Sequence, residues 1–267
     1  MTYLHHNCQK NKMTTFRITP SGLVAASVPV PLLGAAFVFA PLFAVLLSGC
    51  GMNAQEDDFF PLQSGRSWTY RVTKTMKDKG EPQTESLTLE TRGSEQINGR
   101  PAMRRHSDSG LDYWLRSDDT GVYRVARKNA LENEPKLDEL QRYVLRKPYV
   151  VGTSWEALTV AYVLEHRNES RKELRYTHKP MNMVYRIEEL DQKVTTSAGK
   201  FEGCIKVKGE AQIKLFSDDV FNFRDVPLYS HEWYCPKVGL VRMERIEASP
   251  SKFILGGSVL LDLTRWE

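Results

Sequence analysis

The chain has 267 residues, 26% of them charged and 41% apolar, an ordinary globular composition. Its formal net charge of +4 nearly vanishes once Lys10, Lys12 and Arg17 are set aside, since residues 1–55 hold no acid and the remainder is almost balanced. A near-neutral body without a long block of like charge has no general attraction for phosphate backbones, so nucleic-acid binding is not expected.

The N-terminal segment reads as an export leader. A short basic region ends at Arg17, and residues 18–55 then carry no charge. Basic, then apolar, then small is the order of a secretory leader. A permanent transmembrane anchor is the competing reading, because the run reaches spanning length. Pro29, Pro31 and Pro41 argue against one uninterrupted helix. The run ends in Leu47-Ser48-Gly49-Cys50, which resembles the bacterial lipobox. That resemblance implies a diacylglyceryl group on the Cys50 thiol, cleavage before Cys50 and acylation of the new amine. Small residues admit the backbone to a peptidase cleft, and sulfur is the nucleophile. Met13 is an alternative start that shortens the leader. By resemblance to the sorting rule of such lipoproteins, Gly51, standing where an Asp would retain the protein in the inner membrane, implies the outer membrane, on its periplasmic face. Residues 1–49 are therefore assigned to the leader, 50–58 to a lipidated tether and 59–267 to the exported domain. Each buried methylene adds about 0.8 kcal/mol, so more than one acyl chain gives near-permanent attachment.

Strand signals follow. Ser67–Lys74 alternates Trp68, Tyr70 and Val72 on one face, and Glu85–Arg92 alternates Leu87 and Leu89. Leu111–Arg116 and Val122–Val125 flank a Ser-Asp-Asp-Thr-Gly turn. Leu131–Arg146 is the one helix candidate, interrupted by Pro135. Ser154–Glu165, Val184–Leu190 and Phe201–Leu215 are further strands. Tyr229–Tyr234 and Leu240–Ile246 flank a Cys-Pro-Lys-Val-Gly turn, and Lys252–Thr264 closes the chain with a bulge or kink at Gly256-Gly257. Some ten to twelve strands at hairpin spacing predict an all-β fold with a minor helix, in which a curved antiparallel sheet forms a half-barrel or open barrel.

A repeat suggests two related halves. Pro61, Gly65, Ser67 and Trp68 recur as Pro148, Gly152, Ser154 and Trp155 at the same spacing, and each set opens a strand. Gly121-Val-Tyr-Arg124 and Gly239-Leu-Val-Arg242 form a second matching pair of strand starts. Pro and Gly make the turn, and Trp anchors the strand in the core.

Of the four cysteines, Cys8 leaves with the leader and Cys50 becomes a thioether. In an oxidising compartment the remaining two, Cys204 and Cys235, are expected to form a disulfide. A hairpin centred near Asp219 would set them opposite each other.

Phe60-Pro61-Leu62 through Trp68 and Tyr70, Gly152-Thr153-Ser154-Trp155, Ala198-Gly199-Lys200-Phe201 through Cys204 and Val207, and Trp233 through Val241 resemble motifs of a group of poorly characterised bacterial lipoproteins and periplasmic proteins. They span nearly the whole mature chain and imply a domain type, with no chemistry attached. The curved sheet is also similar, as a fold, to the lipoprotein carriers of the outer-membrane sorting pathway, and fold likeness does not license function.

No catalytic constellation stands out. His231-Glu232-Trp233-Tyr234-Cys235 begins like a zinc-protease helix motif, and on a strand His231 and Cys235 could join Cys204 around a metal. An ordinary hairpin strand beside a disulfide is the simpler reading. Gly65-Arg-Ser67 and Gly152-Thr-Ser154 begin like a nucleophile elbow, yet both lack its final Gly and lead into strands. Asp118-Asp119 and Asp218-Asp219 read as turns. No catalytic residue, metal or cofactor is assigned. Phe216, Phe221 and Phe223 are candidate contacts for a ligand or partner, or else a lid folded onto the core. The expectation is a non-enzymatic binding or accessory module on a membrane through Cys50. Its concave face would hold an apolar or lipid ligand, or the domain would dock as a scaffold on an envelope protein complex.

Overall fold

The computed structural model describes residues 58–166, 180–217, 222–249 and 254–267. The leader, Cys50 and Phe221 lie outside them. Among the described residues fourteen strands run in chain order: β1 Ser67–Met76, β2 Gln83–Ile97, β3 Arg100–Ser107, β4 Asp112–Asp118, β5 Gly121–Lys128, β6 Lys136–Arg146, β7 Ser154–Thr159, β8 Glu165–His166, β9 Met181–Thr196, β10 Gly199–Ser217, β11 Asn222–Cys235, β12 Gly239–Glu247, β13 Ile254–Leu255 and β14 Gly257–Trp266. Twelve form one antiparallel sheet in the order β6-β5-β4-β3-β2-β1-β14-β12-β11-β10-β9-β7, and β8 pairs with β13 in a separate two-stranded ladder. The large sheet curls into a nearly closed barrel. Its two end strands, β6 and β7, come together without a backbone ladder and leave one open seam.

The order divides the sheet into two six-stranded meanders. One runs β1 to β6, and the other runs β7, β9, β10, β11, β12, β14. The sequence repeat maps onto this division, and the backbone bonds at the two strand openings match. Before β1, the Gly65 amide donates to Thr91 O (2.8 Å) and the Thr91 amide returns to Arg66 O (2.9 Å). Before β7, the Gly152 amide donates to Ile187 O (2.9 Å) and the Ile187 amide returns to Thr153 O (2.9 Å). Both glycines have positive φ, 85° and 94°, which other residues adopt only with strain. Both tryptophans that follow are buried. The second pair of motifs matches as well. Arg124 of β5 makes a two-pronged pair with Asp138 of β6 (2.7 Å each), and Arg242 of β12 does the same with Asp262 of β14 (2.8 and 3.1 Å).

The expected helix over Leu131–Arg146 is wrong: no described residue is helical, and β6 occupies Lys136–Arg146. Its Leu, Glu, Gln and Arg favour helix intrinsically, but the ladder with β5 and the Arg124–Asp138 pair fix it as a strand. The expected single strand Ser154–Glu165 also divides. β7 stops at Thr159, and residues 160–164 turn into the barrel, where Val163 and Leu164 are fully buried. Arg245 and Glu247 of β12 hold this plug. The Glu247 carboxylate accepts the Tyr162 and Val163 amides at 2.8–2.9 Å, and Arg245 pairs with Glu247 (3.1 Å) and donates to Val160 O (3.2 Å).

The interior face is filled by side chains. Met183, Ile187, Val207, Val226 and Leu228 have no accessible surface, and Trp155 and Tyr185 stack at 5.7 Å. Full burial of such residues contributes about 1.5–3 kcal/mol each. β3 was not expected as a strand, being rich in charge, yet its inward residue Arg105 is a core member. The guanidinium lies 4.3 Å from the centre of the Trp68 ring and 4.5 Å from that of Phe60, and donates to Pro61 O (2.6 Å). Burial pushes its pKa down to about 10, so it stays charged at neutral pH. The expected kink at the paired glycines is present, with Gly256 separating β13 from β14. A Cβ on Gly257 would lie 2.1 Å from Thr75 O, so only glycine lets β14 begin against the end of β1.

Candidate functional site

The expected disulfide is present. Ile205 pairs with Tyr234 in the β10–β11 ladder, and one step further Cys204 faces Cys235 with Cα atoms 4.1 Å apart. The ladder runs on to Ser217 opposite Asn222, so the hairpin is centred between 219 and 220. Both sulfurs are committed to each other, which removes two of the three ligands from the His231–Cys204–Cys235 metal reading. Asp118 closes its turn by accepting from the Thr120 amide (2.8 Å), and Ser67 and Ser154 lead into strands. Asp218 and Asp219 lie outside the described residues. Phe216 pairs with Phe223 in the β10–β11 ladder, and the Phe223 side chain is 64% exposed. The structure thus brings two of the three candidate aromatics to one hairpin tip.

Three polar arrangements could carry chemistry. Inside the barrel, Glu232 accepts from Ser230 Oγ (2.9 Å) and from the Tyr234 hydroxyl (2.6 Å). Burial, followed by the Glu232 charge, holds Tyr234 well above the usual tyrosine range, so its hydroxyl stays protonated and donates. A cleft of about 500 Å³ is lined by Glu95, Arg104, Trp114, Lys128, Asn133 and Leu137. Its groups are largely bound to one another: Trp114 Nε1 donates to Glu95 (2.8 Å), and Arg104 reaches both Glu95 (3.1 Å) and Asp112 (2.8 and 2.9 Å). At the third, His106 Nδ1 lies 2.8 Å from Asp112 Oδ1. Burial raises the Asp112 carboxyl, but the bonds from Arg104 and His106 outweigh it and hold the group below the ordinary range.

That shift has a testable sign. The unfolded carboxyl titrates near pH 3.9 and the folded one lower, so this stabilisation is fully present above about pH 4 and is lost as pH falls through the folded value. Asp112→Asn is expected to lower stability at pH 7, and the gap from the wild type should narrow near pH 2. Urea denaturation of both proteins at the two pH values checks this, and a gap that stays constant would refute the assignment.

The expected open barrel is present, and sequence reasoning missed only where it opens, between β6 and β7. On one side β1 and β14, the first strand of one meander and the last of the other, are zipped from Trp68–Trp266 to Met76–Gly257. On the other side the corresponding strands, β7 and β6, are not laddered, and the Arg142 guanidinium bridges them by donating to Leu158 O (2.9 Å). The tryptophans register the same difference. Trp68 Nε1 donates to Val238 O (2.7 Å), the carbonyl just before Gly239. Trp155 Nε1 is buried and has no acceptor among the described residues, while the corresponding carbonyl, that of Thr120, accepts the Lys147 amide (3.0 Å). Leu137 and Leu140 of β6 and Leu158 of β7 are 57%, 84% and 55% exposed along the two free edges. The repeat was the signal that could have found the seam, because equal halves imply a β6–β7 junction like that of β14 and β1. The helix assignment hid it.

No family model matches the chain, and no curated protein matches it. Two solved structures are similar to it. One is a candidate lipoprotein from Parabacteroides distasonis ATCC 8503, 17% identical, with a TM-score of 0.41 over 78% of this chain and 98% of that one. The other is a candidate exported protein with a YmcC-like fold from Bacteroides fragilis NCTC 9343, 13% identical, with a TM-score of 0.34 over the same shares.

Proposed function

We propose that the protein is a non-catalytic envelope lipoprotein, anchored in the outer membrane through lipid on Cys50, whose barrel docks an extended strand of an envelope partner at its open seam. The seam carries the reading. Two neighbouring strand edges that are not laddered to each other among the described residues, and that Arg142 bridges at Leu158 O, are a template for strand addition, in which main-chain bonds give affinity and side-chain pockets give selectivity. Exposed leucines flank the gap, and the matching junction on the far side of the barrel is already satisfied by β1 and β14. An acyl-chain ligand within the barrel has weaker support, since the inward side chains fill that space. The Cys50 anchor rests on the Leu47-Ser48-Gly49-Cys50 pattern after a charge-free run.

Two measurements test this. Cells grown with labelled palmitate should yield labelled protein, and Cys50→Ala should abolish the label. Hydrogen exchange should then show the β6 and β7 edges protected in isolated outer membranes and unprotected in the detergent-purified protein. Equal exchange in both would overturn seam docking.

A further inference from the structure

We infer that the barrel rim carrying the 147–153 loop rests on the phospholipid surface, with Val150 and Val151 dipping among the lipids. The inference depends on the lipid anchor proposed above and adds an orientation. It starts from where the tether ends. Asp58 O accepts the Lys237 amide (2.8 Å), Phe59 is buried with its ring 5.2 Å from that of Tyr149, and Pro61 O is held by Arg105. Asp58, Phe59 and Pro61 are thus fixed to the rim formed by the 147–153 loop, the β11–β12 turn and the start of β1.

A tether of eight residues reaches at most about 29 Å. The ten-residue β1 that climbs from this rim is itself about 33 Å long, and the 16-residue β9 about 53 Å. The near rim meets the bilayer with a slack tether, whereas the far rim would need it stretched along the barrel wall.

The near rim also has the chemistry of a bilayer interface. Val150 and Val151 are 49% and 59% exposed, and Lys147 Nζ stands 5.9 Å from the Tyr149 ring centre. Across the tether root, Arg66 lies over the Trp266 ring at 5.5 Å and donates to Lys237 O (3.3 Å), and Trp266 is 36% exposed. Aliphatic tips, an amphipathic Trp and basic groups suit the boundary between acyl chains and anionic headgroups. Of the rim acids, Asp118 is hydrogen-bonded by Thr120 and Tyr123 and Glu267 by Ser67 and Arg265, while Asp119 stands exposed in the β4–β5 turn.

The test uses the full lipidated protein in vesicles of phosphatidylethanolamine and phosphatidylglycerol. A spin label is placed at Val151→Cys or, as reference, at Glu81→Cys in the exposed β1–β2 turn at the far rim. The ratio of nickel-chelate to oxygen accessibility should be several-fold lower at 151 than at 81. Equal ratios on vesicles that float with the protein would overturn the orientation and leave the anchor intact. Protein that fails to float would overturn the anchor and the orientation together.

Discussion

Reduction of the Cys204–Cys235 bridge is expected to lower the stability of the domain by about 4 kcal/mol. The two cysteines are 31 positions apart, and closing a loop of that length in the unfolded chain removes this much entropy in the chain-entropy model. The location supports a full effect. The bridge joins two long strands where they pack on Trp68, Val194 and Val241, and both cysteines are buried. The hairpin is otherwise held by its own ladder and by the flanking ladders to β9 and β12. In urea, with a slope of about 2–3 kcal/mol per molar, the midpoint should fall by between about 1 and 2 M. Replacing both cysteines with alanine should lower it further, because the sulfurs leave a cavity that simple reduction does not. Coincident unfolding curves with and without reductant would mean that the β10–β11 hairpin persists in the unfolded chain and that the bridge adds nothing.

The elements legible in the sequence are those whose pattern answers to a single neighbour. β1, with Trp68, Tyr70 and Val72 alternating inward, declares itself because one face meets the core and the other does not. The cysteines could be paired because a hairpin constrains its own register. Three failures have a common cause. In β3, an inward arginine passes for surface until Phe60 and Trp68 are seen on either side of it. In β6, helix-favouring residues are held extended by Arg124 on the neighbouring strand. Residues 160–164 continue an apolar run that looks like strand, and leave the sheet because Glu247, more than 80 positions away, receives their amides. In each case a contact between a charged group and residues elsewhere in the chain decides the local structure, and single-sequence periodicity does not register it.

The seam follows from the same two-halved construction. Each meander begins with a Pro-Gly turn and a buried Trp and ends with a strand held by an Arg–Asp pair. Head-to-tail joining of two such units creates two junctions. The one between β14 and β1 is free to zip, because its strands belong to distant parts of the chain and can slide into register. The one between β6 and β7 is spanned by the short 147–153 loop, and Lys147 there takes the Thr120 carbonyl that the repeat would offer to Trp155. An irregular linker at one junction therefore leaves an opening that the sequence of the strands alone would have closed.

Glu247→Ala is expected to cost about 3–5 kcal/mol, a large share of what holds a domain of this size folded. Glu247 has no accessible surface, and Arg245 is 1% exposed. Removing the carboxylate leaves the guanidinium with Val160 O, the Met183 sulfur and the face of Tyr162, none of which carries a compensating charge. It also strips the acceptor from the Tyr162 and Val163 amides, and an orphaned buried amide costs about 1–3 kcal/mol. Glu247→Gln keeps an acceptor and should fall between alanine and wild type. The informative comparison is the double variant Arg245→Met with Glu247→Leu. It deletes both charges, so the ionic part of the loss should return, while the orphaned amides remain. The double variant is therefore expected to be more stable than Glu247→Ala and less stable than wild type, with proteolytic sensitivity confined to residues 160–164. Wild-type stability in the double variant would show that the plug is seated by Val163 and Leu164 alone and that the carboxylate serves only to neutralise Arg245.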